Sequence, residues 1–366
     1  MKKISIYIRN KNINPSSYYR ICQYTKDIDM HFYFRSLTSN KMYNLSLNSK
    51  YHLLKLTSKA FLYVEIIIRS CVFILLDILK KPDIIYIQRE IIPKKTPTFI
   101  FKIEKKLLKK SIIIWDIDDN LLESKEISKK DFCFYREYSK YIVCSTKILS
   151  RELFDENYLK KIRIIPTTDG DINSLLNADV LKKREELYKN EIKLIWVGTT
   201  SNLEYIMDII PILDKCAKTL KERNKKLILT IVTGYSLNVD VNHIEIKFVK
   251  WSRKQVIKEI LNAHIGLMPL KETPFTIGKA SFKLIQYLSA GIPVIGSPVG
   301  YNYNVITNEI GFLASSNTDW INSIVYLSSN IDEYQIYSSN ALEQWNKFYS
   351  YDIQLEKILK LFEDTN

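Results

Sequence analysis

Lys279 and Lys283 stand four residues apart at the start of a stretch whose apolar residues, Phe282, Leu284, Ile285 and Leu288, recur with a helical period. On one face of a first helical turn two like charges repel, and cations there also oppose the helix dipole. Each effect is a few tenths to about 1 kcal/mol in the wrong direction. A bound phosphate or pyrophosphate reverses both signs, because helix N-termini present N–H groups to anions. The alternative is that one lysine extends to solvent. A second group is acidic. Asp116, Asp118 and Asp119 close the apolar run SIIIWDI. Neighbouring carboxylates raise one another's pKa, so Asp118 is a candidate base toward a hydroxyl. The alternative is a strand-to-helix turn capped by Asp119 or Asn120. A third group is the turn Gly198-Thr199-Thr200-Ser201 after the run IKLIWV. There Gly198 permits close approach of a ligand to the backbone, and Ser201 or Asn202 suits a helix cap.

The elements that must position these residues alternate along the chain. KISIYI, DIIYIQ and SIIIWDI read as strands in the first half, with a further one ending at Pro166. IKLIWVG, LILTIVTG, IEIKFV, HIGLMPL and IPVIGS read as strands in the second. Continuous apolar strands separated by helices predict parallel sheets buried on both faces, with ligands at the carboxyl ends. The fold class is therefore α/β, with two doubly wound Rossmann-like domains. The boundaries expected are 1–168, 169–345 and a C-terminal helical segment 346–366, within a helix read over 341–363. Gly291 suits the end of the helix from Ser281 and Pro293 prevents its continuation.

The chain has 366 residues, 46% hydrophobic and 26% charged, with nine Gly and ten Pro. That composition excludes a disordered or collagen-like chain. Five Cys without CxxC spacing and four His argue against a disulfide framework or a structural zinc site, and no metal or other cofactor is expected. Positive charge is uneven: residues 1–166 carry 32 Lys and Arg against 17 Asp and Glu, whereas the remaining residues are close to neutral. Such asymmetry points to a polyanionic surface. Residues 60–79 have the length of a membrane span, but Glu65, Arg69 and Asp77 fall within roughly 120° of a helix and describe a one-sided helix instead. Lys94 and Lys95 follow it, and then Lys102, Lys105, Lys106 and Lys109 share one helical face, a pattern suited to anionic lipid. No zinc-finger, helix-turn-helix or RNP pattern supports nucleic-acid binding. The expected location is cytoplasmic, peripheral at the inner membrane face.

Gly278, Lys279, Phe282, Lys283, Gln286, Tyr287, Ala290-Gly291 and Pro293-Val294 form a long motif. It resembles the donor-binding signature of GT-B glycosyltransferases of the family 4 type. Ser17-Tyr18-Tyr19-Arg20, Tyr86-Ile87-Gln88-Arg89-Glu90 and Trp115-Asp116-Ile117-Asp118-Asp119 resemble first-domain segments of that family, and Trp196-Val197-Gly198 its first donor-domain strand. The resemblance implies two domains facing across a cleft and sugar transfer from a nucleotide-sugar donor, with retention, to a glycan or lipid-linked acceptor in surface polysaccharide synthesis. It places Gly198, Thr199, Thr200, Thr233, Gly234, Lys279, Lys283 and Gln286 on the donor side, with Lys283 offsetting leaving-group charge. Thr233-Gly234 and Val249-Lys250-Trp251 would border the nucleobase. Arg20, Arg89 and Asp116 would line the acceptor side, with Asp118 catalytic.

The sequence departs from the family where the signature has two Glu eight residues apart; here they are Gly278 and Gln286. Glu272 is a candidate spatial substitute. The loss keeps two other readings open. One is a nucleotide-sugar epimerase or phosphorylase on the same architecture. The other is a catalytically inactive glycan- or nucleotide-binding partner.

Overall fold

The computed structural model describes residues 1–48, 52–94 and 96–365, and nothing is described of the side chains of 47, 48 and 52–56. Lys95 therefore lies outside the described residues. The chain divides into two units: Met1–Thr167 with Gly278–Ala280 and Gln354–Asn366, and Thr168–Ile277 with Ser281–Ile353.

Unit 1 holds strands β1 (Lys3–Ile8), β2 (His31–Ser36), β3 (Ile84–Gln88), β4 (Ile112–Ile117), β5 (Tyr141–Cys144) and β6 (Ile162–Ile164). They form one parallel sheet in the order β2-β1-β3-β4-β5-β6. Unit 2 holds β7 (Glu191–Val197), β8 (Lys226–Thr233), β9 (Glu245–Lys250), β10 (Ile265–Met268), β11 (Val294–Gly296) and β12 (Gly311–Leu313). Its sheet, also parallel, runs β12-β11-β10-β7-β8-β9. Each sheet is doubly wound, and each reverses strand order once: between β1 and β3, and between β7 and β10. The carboxyl ends of those strand pairs are the places where such folds bind ligands. The central strands are buried on both faces, as their unbroken Ile-rich runs require. Each buried Ile contributes roughly 1.5–3 kcal/mol relative to exposure.

In unit 1 the helices that matter below are α1 (His52–Lys80), α2 (Thr98–Leu108) and α3 (Lys129–Tyr138). The charges that interrupt the apolar run of α1 are the groups it turns toward the protein. Asp77 is fully buried, paired with Arg35 and accepting from Ser5 Oγ at 2.9 Å and Tyr7 Oη at 2.7 Å. Arg69 Nε donates to the Ser36 carbonyl at 2.8 Å, and Glu65 Oε1 accepts from the Ser39 N–H at 3.0 Å. Among the described residues no helix is long and apolar enough to cross a membrane. The four-lysine face expected on α2 is split. Lys105 turns to Asp131 and the Phe134 ring of α3, because the buried side of α2 already holds Glu104, Leu107 and Leu108.

Unit 2 uses α4 (Gly170–Leu175), α5 (Leu203–Lys221), α6 (Phe282–Ser289), α7 (Asn317–Ser329) and α8 (Ile331–Phe348), and α9 (Tyr351–Glu363) follows. The single helix read over 341–363 is two. Tyr349 leaves helical geometry at φ −126°, ψ 0°, and α9 starts afresh. From Gln354 onward the chain belongs to unit 1, where Phe362 meets the rings of Phe32 and Tyr86 at 6.2 and 6.1 Å.

Candidate functional site

In unit 1 the carboxyl ends of β3 and β4 carry a charged cluster built around one guanidinium. Arg89, in a left-handed conformation (φ 66°), directly follows β3. Its Nε is 2.8 Å from Asp118, one Nη 2.7 Å from Asp119 and the other 3.0 Å from Glu126. Burial tends to raise the Asp118 pKa. The Arg89 guanidinium and hydrogen bonds from Arg89 and Ser16 outweigh it and hold Asp118 below the ordinary aspartate range. Asp119 moves the other way. Burial and the Asp118 charge raise it, against Arg89 and Lys279. Asp118, the residue expected as base, is thus held in its ionised form, and Asp119 is the carboxylate of the pair with the raised proton affinity. Asp119 is also not the cap, because Asn120 Oδ1 accepts from the Glu123 N–H at 3.1 Å.

Arg20 and Asp116, expected to line an acceptor surface, are buried against each other, with side-chain exposures of 1% and 0%. The Arg20 Nε contacts both Asp116 oxygens at 3.2 Å, and its Nη1 donates to the Ile165 carbonyl and to Thr167 Oγ1. A π-helical turn, Tyr18–Cys22, aims it inward. This pair ties the carboxyl end of the interior strand β4 to the segment after β6 and offers no surface. Beside the cluster, burial pushes the Glu90 carboxyl up to about 7 despite Arg9 at 3.2 Å.

The start of the donor-like motif is divided. Gly278–Ala280 belongs to unit 1, and a Cβ at Gly278 would lie 3.1 Å from a Glu152 carboxylate oxygen. A glutamate there would face Glu152, which gives a physical reason for the glycine. Ser281 is left-handed (φ 50°) and donates its Oγ to Asn302 Oδ1 at 2.7 Å, so α6 begins only at Phe282. Lys279 therefore precedes the helix and does not share its first turn with Lys283. Lys283 does lie in that turn, which has no acidic residue and no side-chain cap from Ser281. Its Nζ is 5.9 Å from the centre of the Trp196 ring. Gln286 is 3% exposed, and its amide nitrogen donates to Asp169 Oδ2 at 2.8 Å, while Asp169 caps α4. That donor serves the interior and is not presented to a sugar.

The loops after β7 and β8 do come together. A Cβ on Gly234 would meet Thr200 Cγ2 at 2.8 Å, and Thr233 buries a hydroxyl that has no hydrogen-bond partner. Thr199 Oγ1 is 2.9 Å from Ser201 Oγ and accepts from Asn202 Nδ2 at 2.9 Å. Gly198 has an internal reason. A Cβ there would sit 2.2 Å from the Trp196 ring. Sequence reasoning missed a pocket of about 310 Å³ at the carboxyl ends of β10, β11 and β12. Tyr205, Asp208, Leu270, Lys271, Pro298 and Trp320 help line it, and so does Glu272. Lys271 and Asp208 pair at 2.6 Å beside it. The signal was available in the Pro269–Pro274 loop, which joins a buried strand to the motif.

No protein-family model matches the chain, and no curated protein matches it. Among solved structures it is similar to HepE of Anabaena in complex with UDP, at 11% identity over all of both chains with a TM-score of 0.66. It is also similar to sucrose-phosphate synthase from Thermosynechococcus elongatus, at 12% identity over 100% of this chain and 99% of that one, TM-score 0.67. A third likeness is a glycosyltransferase from Rickettsia africae, at 14% identity over 100% and 98%, TM-score 0.63. These likenesses establish the fold: two Rossmann-like domains of the GT-B type.

Proposed function

We propose that the protein transfers a sugar from a nucleotide-sugar donor, a uridine diphosphate sugar in the first instance, to a glycan or lipid-linked acceptor. The observation that carries this reading is the start of α6, where a lysine occupies a first turn lacking both an acidic residue and a serine cap. A diphosphate is the ligand that this arrangement suits. HepE, of the same fold, was crystallised with UDP and with UDP-glucose. The motif from Gly278 to Val294 resembles a donor signature of that fold.

In this reading Lys283 stabilises the charge that develops on the departing diphosphate. The 310 Å³ pocket, at the small end of ligand sites of about 300–1,000 Å³, takes one end of the donor. Asp119 accepts the acceptor hydroxyl's proton, and Asp118 fixes Arg89 beside it. Neither step requires a metal.

The test is a thermal-shift screen with UDP, GDP, ADP, CMP and their sugars, followed by measurement of UDP release with and without acceptor. A ligand at about 100 times its Kd adds about 2.7 kcal/mol. A shift for one nucleotide class that Lys283→Ala abolishes supports the donor site. Absence of any shift overturns it. Binding without turnover favours an inactive partner, and free nucleotide-sugar product without acceptor favours an epimerase.

A further inference from the structure

Helix α1 carries hydrophobes on its outward face as well as on the face it packs into the core. Every exposed residue between 61 and 79 is a large hydrophobe: Phe61, Val64, Ile68, Val72, Leu75, Ile78 and Leu79. Phe61 is 67% exposed and Leu79 77%. At 100° per residue the seven fall within about 120° of arc, and from Phe61 to Leu79 the stripe runs about 27 Å. A surface helix normally turns its apolar stripe inward and its charges outward. Here the inward side is apolar too, with Ile66 and Ile74 in the core, and it also takes in Asp77, Glu65, Arg69 and Ser70 through hydrogen bonds, so the outward stripe is a second apolar face.

Helix α2 packs beside α1 and continues the pattern. Its outward face sets Phe99 and Ile103 beside Lys102 and Lys106, and the exposed Lys109 and Lys110 follow its end. The charge is one-sided as well. Among the described residues from 57 to 110, the exposed charged groups are eight lysines and one aspartate, Asp83. The other acids of this region are buried or partly buried in protein contacts: Glu65, Asp77, Glu90 and Glu104. Nothing acidic stands on the apolar stripe itself.

We propose that the α1–α2 face of unit 1 docks on an anionic lipid bilayer, with the α1 stripe inserted at the level of the acyl chains and the surrounding lysines on the headgroups. The charge complementarity selects this occupant. A second copy of the chain would set eight exposed lysines against eight more, whereas an anionic surface neutralises them. An apolar face with a basic border inserts about 5–10 Å at such an interface, lying in its plane and not crossing it. The inference is independent of the sugar-transfer reading, because it uses neither strand ends nor the α6 motif.

The experiment is flotation of the full chain with vesicles of pure phosphatidylcholine and with vesicles holding 30% phosphatidylglycerol, at low and high salt. The chain is expected to float with the anionic vesicles only, and less at high salt. Ile68→Ser/Leu75→Ser changes exposed residues and is expected to leave the circular-dichroism spectrum of the wild type unchanged. It is expected to lower the bound fraction at least tenfold at both salt concentrations. Lys102→Glu/Lys106→Glu is expected to lower it mainly at low salt. Equal flotation with neutral vesicles, or undiminished flotation of the serine variant, overturns the proposal. So does a wild-type dimer by light scattering that the serine variant converts to monomer without any vesicle binding.

Discussion

Asp118 and Asp119 are adjacent in the chain, share the guanidinium of Arg89, and have their pKa values shifted in opposite directions from the ordinary aspartate value. Arg89 Nε at 2.8 Å and the Ser16 hydroxyl hold Asp118 ionised, while burial and the Asp118 charge itself lift Asp119. One carboxylate thereby sets the electrostatic background for the other. Asp119→Asn is expected to lower kcat for sugar transfer by about 10²–10⁴, the usual contribution of a positioned base, and to remove the acid limb of the rate profile. Asp118→Asn is expected to keep that limb and move it to lower pH, because a negative neighbour is gone. A pH series of UDP release for both variants distinguishes the two roles. An unchanged profile in the Asp119 variant excludes it as the base.

Arg20 and Asp116 predict a stability effect. Removing one member of a buried ion pair leaves an uncompensated charge, at about 3–5 kcal/mol. Arg20→Met and Asp116→Leu are each expected to destabilise unit 1 by that order in urea titrations. The double variant should recover much of the loss. If the single variants unfold like the wild type and only acceptor affinity falls, the pair faces an acceptor after all.

Gly198→Ala should destabilise unit 2 by about 1–3 kcal/mol through overpacking against Trp196, whose ring stands 2.2 Å from the new methyl position. Combining it with Trp196→Leu should relieve the clash, so that the second substitution costs less in the variant than in the wild type. Full additivity in a double-mutant cycle would falsify the steric explanation.

Glu104 sets a pH dependence. Burial raises its carboxyl to about 8, although the Tyr135 hydroxyl hydrogen bond works to lower it. The folded protein therefore keeps a proton that the unfolded chain releases near pH 4.5. Stability from this group is complete below about pH 4.5 and is lost as pH rises to about 8. Glu90, raised to about 7, acts in the same direction. Melting curves should show Tm falling between pH 5 and 8. Glu104→Gln should flatten that slope by at least about 1 kcal/mol, roughly 2–4 °C.

Long apolar strands were legible in the sequence because burial on both faces leaves an unbroken run, as in Ile84–Gln88 and Glu191–Val197. Strands β2, β5 and β12 were not. The last two have four and three residues, and β2 is an edge strand with Arg35 in it. The site was harder to read, because residue type does not reveal partners. Arg20 reads as a surface cation until Asp116 is found beneath it, and Gln286 as a ligand contact until Asp169 is found against it. Ser281 reads as a helix residue, and its left-handed backbone, which removes Lys279 from the helix, is set by Asn302 twenty-one positions away. The outward stripe of α1 was visible as periodicity, but not its direction, which depends on Asp77 finding Arg35, Ser5 and Tyr7.

The return of residues 354–366 to unit 1 orders events on the ribosome. Lys2 Nζ donates to the Phe362 carbonyl at 2.8 Å, Tyr141 Oη donates to the Asp364 carbonyl at 3.1 Å, and Phe362 covers Phe32 and Tyr86. These partners are translated more than two hundred residues before the segment that completes them. The nascent first unit must wait, with an apolar gap beside β1–β3, until all of the second has been translated. A chain released before Gln354 would thus expose that gap, and it would be a natural substrate for chaperone capture during synthesis.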